Sequence, residues 1–447
     1  MITVSLGDAD LAHTVADGSE DNPIVLDNIA IDWGNEEFLD EYKPTVAKFD
    51  VVLSGDPRVF ARRLQNKAIW EAKVKIHDGK LCLFYGKIRE IYPRLVRIKD
   101  GDRLWRVTFS CTDIVQDISG YPKNRVFSGW QEVSVNDALK GLAAGLGYGN
   151  NFLTPPHGGD KTGVRTATGD GKWIENKQWL QLLYSAPAGY SYSFDPEKAV
   201  IRPRPNPTRS VEWGLVDDVH GGGKFPSLTS YVFDDAGALD SHGPVVDIDA
   251  KKLGVDEIGC TFSPKMTVGR VRVKHYTSSK DKIDESLFYM RGLGTGEMEV
   301  KTVSTNNAQT IADKFFESYR LLVARPRHPD VTYQMTDPEG EPRESREYWL
   351  RTWCDGRALQ VKGSELVWFM DPRPLGPDSP PVQGELLCPI GGKLRYSSRK
   401  GWTITQRVIF ANSEPLAPLK LSKASFTPNE LHHSVTLDDI GKLTEKI

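Results

Sequence analysis

Apolar and polar residues alternate along several stretches of the chain, and the first clear example begins at residue 70. The apolar members of this stretch are Trp70, Ala72, Val74 and Ile76. This is the period of a strand with one buried face. Asp78 and Gly79 then precede the apolar run 81–85, and an Asp-Gly pair suits a type I′ turn because both central positions need positive φ. The pattern predicts a β-hairpin.

A second hairpin and a short helix flank the first. Asp100 and Gly101 follow the segment 95–98 and precede another alternating run. The apolar members of that run are Trp105, Val107, Phe109 and Cys111. Two successive hairpins predict an antiparallel meander. Upstream, Asp56 and Pro57 suit the first turn of a short helix.

Helical spacing of apolar residues appears after residue 121. Ser134 can cap one helix and Asn176 a second. Their apolar faces are, in turn, Ala138, Leu139, Leu142 and Leu146, and Trp179, Leu182, Leu183 and Ala186. Period-two spacing returns after residue 190, so a small α/β module is predicted to end near Arg204. The Gly-rich segments 157–171 and 221–223 suit surface loops.

A third region resumes the β pattern. Val271 and Val273 fall on one face of a strand, opposite a basic face. A helix follows, with Ser304 or Thr305 as its cap. Its apolar residues are Ala308, Ile311, Ala312, Phe315, Phe316 and Tyr319. Further strands are expected within 348–353, 366–370 and 402–410, while 371–381 holds five prolines and suits a loop.

These patterns predict a mainly β, multidomain fold with an α/β insert. Two tube-like β-barrel or sandwich domains, 1–120 and 256–412, flank a small α/β domain, 121–255. Residues 413–447 leave the β pattern and form a C-terminal extension.

Composition narrows the functional classes. The 447 residues are 39% hydrophobic and 26% charged, which favours a globular chain with several cores. The formal net charge of −3 gives no basic excess for holding nucleic acid. No apolar run approaches the roughly 18 residues of a membrane span. Asp8 and Asp10 stand where a secretory signal would be basic, so we expect folding in the cytoplasm without membrane insertion.

The cysteines are odd in number, widely spaced and embedded in strand-like sequence. They are Cys82, Cys111, Cys260, Cys354 and Cys388. We interpret them as small core residues, belonging neither to a disulfide framework nor to a zinc site.

The sequence contains no signature of hydrolase, zincin, nucleotide-binding or redox chemistry, so no catalytic, cofactor or metal residue is assigned. His432 and His433 are adjacent and would point to different sides of a strand or helix. Neighbouring carboxylates in loops lack the separation that glycosidases need. These pairs are Glu36-Glu37, Asp217-Asp218 and Asp234-Asp235. A basic cluster lies at and just beyond the C-terminal end of the third predicted helix, where positive charge complements the helix dipole. It consists of Arg320, Arg325, Arg327 and His328.

The order of these features resembles the tail-hub proteins of long-tailed actinobacterial phages, whose minor tail proteins open with an Ile-x-Trp-Gly element. The matching elements are Ile31-Asp32-Trp33-Gly34, the strand 47–53, Phe84-Tyr85-Gly86-Lys87-Ile88, and the strand ending Cys111-Thr112-Asp113. The three helices and the Val271-Arg272-Val273 strand follow in the same order. The resemblance covers residues 31 to about 410, and the order of the motifs carries it.

The resemblance implies a structural virion protein and not an enzyme. Such a hub is a homotrimer at the distal end of the tail tube, where six tube-like domains meet the hexameric tube. Its implied partners are the tail tube or distal tail ring, the tape measure protein and other tail-tip or receptor-binding proteins. It would be assembled in the host cytoplasm and would lie at the tail tip. DNA would pass without specific binding, so Lys73 and Lys75 should pair with acidic neighbours or face outward.

A carbohydrate-active or carbohydrate-binding surface protein is the alternative, since tryptophans can stack on sugars. Five of them lie on the apolar period of a strand or helix, which favours core or subunit contact. They are Trp70, Trp105, Trp179, Trp349 and Trp402. A third possibility is another multidomain adaptor or assembly protein, which would be a monomer that forms no ring.

Overall fold

The structure of the protein is a computed structural model. The described residues are 2–7, 9–13, 24–35, 42–54, 70, 72–99, 102–120, 132–156, 159–165, 176–186, 191–204, 211–217, 224–233, 239–244, 246–249, 268–276, 283–289, 296–319, 331–334, 359–362, 385–398 and 400–410.

Strands dominate these residues, which confirms the prediction of a mainly β fold with few helices. The first group is β1 (Ile2–Leu6), β2 (Ala9–His13), β3 (Ile24–Gly34), β4 (Lys43–Ser54), β5 (Lys73–Asp78), β6 (Leu81–Lys99) and β7 (Asp102–Asp113). The second is α1 (Val115–Gly120), β8 (Glu132–Ser134), α2 (Val135–Gly145), β9 (Gly163–Arg165), α3 (Asn176–Ser185), β10 (Ser191–Asp195) and β11 (Val200–Arg204). The third is β12 (Val211–Asp217), β13 (Lys224–Phe233), β14 (Leu239–Pro244), β15 (Val246–Asp249), β16 (Val268–Tyr276), β17 (Ile283–Tyr289), β18 (Gly296–Thr302), α4 (Ala308–Tyr319), β19 (Val331–Gln334), β20 (Leu359–Lys362), β21 (Glu385–Ser397) and β22 (Gly401–Phe410).

Strands β1–β7 form a curled, barrel-like sheet, called the barrel below. Their pairing runs from β3 through β2, β1, β5, β6, β7 and β4 back to β3, with β2 and β3 meeting at one residue pair. Alternate residues fill its interior, as the period-two pattern predicts. Phe49 and Phe109 are directly paired across β4 and β7, and their rings stack with centroids 4.8 Å apart. Both predicted hairpins are present: β5 pairs with β6 and β6 with β7.

The turn of the first hairpin differs from the predicted one. Asp78 is paired with Leu81, so the central residues are Gly79 and Lys80. Only Gly79 has a positive φ, 59°, which is the Gly-first arrangement of a type II′ turn. The register also shifts between Ile76 and the next residue, which explains why four consecutive residues of β6, 81–84, are buried.

The two ends of the chain share one sheet. β21 pairs antiparallel with β3 over Gly34↔Gly391 to Asn28↔Ser397, and β22 pairs with β21. Trp402 and Ile404 of β22 lie in the same hydrophobic core as the barrel residues. The predicted β regions before and after the insert therefore form one wall around one core. Their division into domains ending at residues 120, 255 and 412 stays a prediction.

The α/β unit, comprising α2, α3 and β8–β11, has its own core. Ser134 caps α2 as predicted, because its Oγ accepts a hydrogen bond from the backbone N–H of Asp137 at 3.1 Å. The apolar faces predicted for both helices are buried. The segment 157–171 is not wholly a surface loop, since β9 pairs with β8 and Val164 is buried.

A third unit joins the three-stranded sheet β17–β16–β18 to α4. Val271 and Val273 pack against Ile311 and Ala312, as their spacing predicts. Neither predicted cap begins the helix. Asn307, directly before Ala308, accepts a hydrogen bond from the N–H of Thr310 at 2.8 Å. Ser304 lies too early and pairs instead with Val164.

Several predicted features lie outside the described residues. They are the short helix after Asp56, the strands within 348–353 and 366–370, the loops 221–223 and 371–381, and the C-terminal extension. Trp70 is described and is 43% exposed just before β5, so its assignment to the buried face was wrong. The strand itself begins only at Lys73.

Candidate functional site: the joint between the barrel and the α/β unit

The Ile31–Gly34 motif ends where the barrel meets β21. Gly34 has φ +83°, and a Cβ on it would lie 2.3 Å from Gly391 Cα and from the Ile390 carbonyl oxygen. The next residue, Asn35, donates its backbone N–H to the Ile390 carbonyl at 2.9 Å. Glycine is therefore required here by backbone conformation and by space.

The Phe84-Tyr85-Gly86 motif has a similar basis. A Cβ on Gly86 would lie 2.2 Å from the Thr112 carbonyl oxygen of β7. Gly86 is paired with Asp113, so the close approach of β6 to β7 lies within the Cys111-Thr112-Asp113 motif. Trp33, Phe84 and Asp113, one residue from each of three elements of the sequence resemblance, line one cavity, so these elements meet at one place in the fold.

We call this meeting place of the barrel and the α/β unit the joint, and Asp113 lies at its centre. It is fully buried, and one oxygen, Oδ2, accepts the N–H of Thr45 at 2.7 Å and the hydroxyl of Tyr42 at 3.4 Å. The other oxygen, Oδ1, accepts the N–H of Val115 at 3.0 Å. Burial raises the pKa of Asp113 to about 7, although these hydrogen bonds act to lower it. One carboxyl group therefore ties the start of β4 to the passage from β7 into α1.

An aromatic series continues from this carboxyl group into the α/β unit. The Tyr42 ring lies 5.5 Å from that of Tyr192, which lies 5.3 Å from that of Tyr184 in α3. The Asn35 side-chain amide donates to the Ser191 hydroxyl at 3.2 Å, giving a second buried polar link. Both links cross from the barrel to the α/β unit.

A small cavity of about 30 Å³ borders the joint. Its lining includes Trp33, Tyr42, Tyr85, Asp113 and Ser193. A cavity of this size has room for about one water molecule, and polar groups are present to bind it. The site suits a structural water rather than an organic substrate.

Charged side chains lie on the solvent side of the same strands. Asp117 in α1 binds Lys87 at 3.1 Å and also binds Arg89. Burial alone would raise the pKa of Asp117, but hydrogen bonds from Arg89 and Lys87 bring it below its usual value. This group is therefore a carboxylate at neutral pH.

Lys73 and Lys75, which were expected to pair with acidic neighbours or to face outward, lie over an aromatic ring. The ammonium groups of Lys73 and Lys75 each lie 5.7 Å from the centroid of the Tyr85 ring. Tyr85 in turn lies 6.3 Å, ring to ring, from Phe194 of β10. This face of β5 and β6 is thus directed toward the α/β unit.

Exposed apolar side chains cluster on β6 beyond the joint. We call residues 91–96 of β6 the ribbon. Tyr92 is 60% exposed, Leu95 41% and Val96 48%. Leu95 is paired with Trp105, which packs against the barrel core. The ribbon therefore extends the apolar interior of the barrel to the surface of the chain.

The predicted core role of the cysteines is confirmed for two of them. Cys82 and Cys111 are free and buried, and burial raises the pKa of each thiol to about 12. Such thiols are unreactive at neutral pH. Cys388 lies in β21, and the other two cysteines lie outside the described residues.

Most of the other candidate residues from the sequence lie outside the described residues. Asp217 ends β12, whereas its neighbour and the other paired carboxylates lie outside the described residues, as do His432, His433 and the basic cluster 320–328. Among the described residues, no group of three or more His, Cys, Asp or Glu side chains is arranged to hold a metal ion. Nor is any helix in that part of the chain long and apolar enough to cross a membrane.

Sequence reasoning quoted Asp113 only as part of a motif and did not recognise its role. The available signal was a lone carboxylate at the end of an alternating apolar strand, directly before a helix. A carboxylate in that position often serves as a helix cap. Its burial depends on Tyr42, 71 positions away, which no local pattern reveals.

Comparison with known proteins gives no family assignment. No protein-family model matches the sequence, and no curated protein matches it. Among solved structures, the chain is similar to a tail protein from Neisseria meningitidis MC58, with 12% identity, 93% of this chain and 97% of that chain covered, and a TM-score of 0.48. It is also similar to the 43 kDa tail protein of prophage MuSo2 from Shewanella oneidensis, with 9% identity, 92% and 99% coverage, and a TM-score of 0.48.

A third similar structure is the prophage tail protein gp18 from Listeria monocytogenes EGD-e. Its identity is 8%, with 92% of this chain and 95% of that chain covered and a TM-score of 0.41. These structural neighbours are phage or prophage tail proteins. At such identities, residue roles are taken from the contacts within this chain alone.

Proposed function

We propose that the chain is a structural virion protein, the trimeric hub at the distal end of a phage tail tube. It joins the tube to the tail tip, forms part of the DNA ejection conduit and has no enzymatic role. The observation that supports this best is the single wall built by strands from both ends of the chain, with β3 paired to β21. The motifs of the tail-hub resemblance maintain that wall and its joint to the α/β unit.

Edge-to-edge pairing within one chain provides a means of building a ring. A chain that presents two β regions side by side contributes two of six positions, so three copies complete a ring that matches a hexameric tube. β15 and β19 each have one pairing partner among the described residues. Such edges favour pairing with another chain because their N–H and C=O groups are available.

The partners of this hub are its own copies, the tail tube or distal tail protein ring, the tape measure protein and other tail-tip or receptor-binding proteins. The hub is assembled in the host cytoplasm and resides at the tip of the virion tail. DNA passes through it without specific binding. The formal net charge of −3 suits a lumen that must release a polyanion.

Imaging of the purified full chain by negative-stain electron microscopy tests this proposal. We expect three-fold rings, and a molar mass three times that of the chain by light scattering. A compact monomer at every concentration would contradict the hub. Rings of another symmetry would leave a structural role but refute the trimer.

A further inference from the structure

Asp113 lies where two hydrophobic cores meet. It follows Cys111, which belongs to the barrel core, and precedes Val115, which belongs to the core of the α/β unit. Its bonding partner Tyr42 packs in that second core. Within the described residues its hydrogen-bond partners are all uncharged. A carboxylate here has no cation to offset the loss of hydration.

The groups around Asp113 can form hydrogen bonds with both its ionised and its protonated form. The Tyr42 and Thr45 hydroxyl oxygens lie 2.7 Å apart, and either one can donate to the other. When Asp113 is ionised, Tyr42 donates to Oδ2. When Asp113 carries a proton on Oδ2, that proton can be donated to the Tyr42 oxygen while Tyr42 donates to Thr45. The hydroxyl pair can therefore offer Asp113 a donor in one protonation state and an acceptor in the other.

Other titratable groups near the carboxyl lie on the elements packed around it. The Tyr192 hydroxyl belongs to the ring beyond Tyr42, and Tyr85 lines the same cavity. Lys87, Arg89 and Asp117 lie on the solvent side, where both cations bind the Asp117 carboxylate.

We propose that Asp113 is a proton-operated latch between the barrel and the α/β unit. The latch is closed when the carboxyl is neutral and is weakened when a negative charge forms inside the joint. This inference does not depend on the tail-hub function. It stands on a fully buried carboxyl that ties the start of β4 to the passage from β7 into α1, on a hydroxyl pair in which either oxygen can donate, and on a cavity beside the carboxyl with room for a water molecule.

The direction of the pH effect follows from linkage. The pKa of Asp113 is about 7 in the folded chain, against 3.8 for an unperturbed aspartate. The folded state therefore binds more protons between these values. The stabilisation from this group is complete below about pH 4 and is lost as the pH rises through about 7. Most carboxylates in folded proteins have a lowered pKa, so the stability that they contribute is lost as the pH falls.

Infrared titration of the full chain tests the latch without any substitution. We expect a protonated carboxyl band that disappears with a midpoint near pH 7, far above that of ordinary carboxyls. Asp113→Asn should remove this band. Tyr42→Phe should move its midpoint upward, because the Tyr42 hydroxyl bond lowers the pKa of Asp113. Asp117→Asn is the control and should leave the band unchanged, since Asp117 titrates below its usual range.

Hydrogen exchange reports whether the joint opens more readily when Asp113 loses its proton. After correction for intrinsic rates, the amides of Thr45 and Val115 should exchange several-fold faster at pH 8 than at pH 6 in the wild type and in Asp117→Asn. In Asp113→Asn the ratio should fall to about one. If Asp113→Asn fails to fold, the midpoint shift in Tyr42→Phe identifies the band instead. A wild type without a band titrating near pH 7, or with exchange that does not change between these pH values, would overturn the latch.

Discussion

A single missing Cβ decides how closely β3 and β21 approach. Gly34→Ala would place a methyl group 2.3 Å from two backbone atoms at a φ of +83°. The conformation costs roughly 1–2 kcal/mol and the overlap roughly 1–3 kcal/mol more. We therefore expect unfolding in urea to show a loss of about 3 kcal/mol.

Gly79→Ala is the matched control for this substitution. Gly79 also has a positive φ, 59°, but nothing lies within 4 Å of the position that its methyl group would take. Only the conformational cost of about 1 kcal/mol should appear. Equal losses in the two variants would show that the contact with β21 contributes nothing.

At the same scale, local sequence predicts turns and caps better than it predicts buried polar groups. Ser134 was identified as a cap because its partner is three residues away. Asn307 was missed because Ser304 and Thr305 are equally good caps by composition, and only the start of α4 distinguishes them. Asp113 was missed as the centre of the joint because its partners come from distant segments.

Among the elements, the sheet β16–β18 depends more on its apolar face than on its charged one. Val273 is fully buried against α4. On the other face, Arg272 donates to Glu297 at 2.5 Å and also binds Glu285, with Lys274 beside them. Val273→Ala should lower the free energy of unfolding by about 2 kcal/mol.

Arg272→Ala should change the thermal midpoint far less than Val273→Ala, because exposed ion pairs are solvated and screened by salt. Thermal unfolding at low and high salt checks this, since added salt screens the ion pairs and should weaken any contribution that they make. If Arg272→Ala lowered the thermal midpoint more than Val273→Ala does, the charged face of the sheet would have to be shielded from solvent.

The ribbon is the element whose role in assembly is most easily tested. Tyr92→Ser combined with Leu95→Ser removes two exposed apolar side chains, so stability should change little. Sedimentation should show weaker self-association if copies of the chain meet there. Tyr289→Ser, at a residue 67% exposed on β17, is the control and should associate as the wild type does. Unchanged association of the double variant would exclude the ribbon as the contact.

The strand pattern was predictable where alternation is strong and much less so elsewhere. β5, β6 and β7 follow from period-two spacing and Asp-Gly pairs, and both were visible locally. The pairing of β3 with β21 was not, because registers between distant strands leave no local signal. The segment 157–171 was interpreted as a loop because its glycines and threonines obscure the short strand β9.

For the whole molecule, the conduit hypothesis predicts weak binding to DNA. Lys73 and Lys75 lie against Tyr85, on the side of the barrel directed toward the α/β unit. Filter binding with duplex DNA at about 150 mM salt should give a dissociation constant no tighter than roughly 1 μM. A nanomolar constant with a steep salt dependence would instead support a nucleic-acid-binding function.

The pairing of β3 with β21 also means that β3 is synthesised long before its partner strand. Asn35, at the end of β3, accepts a hydrogen bond from Arg407, 372 positions later in the chain. At ribosomal speeds of roughly 5–20 residues per second, about 20 to 75 seconds separate the appearance of the two residues. Throughout that interval the edge of β3 has no strand of its own chain to cover it, and nascent copies on one messenger are close neighbours. Soluble yield should therefore rise when translation initiates less often, because fewer unfinished chains then meet.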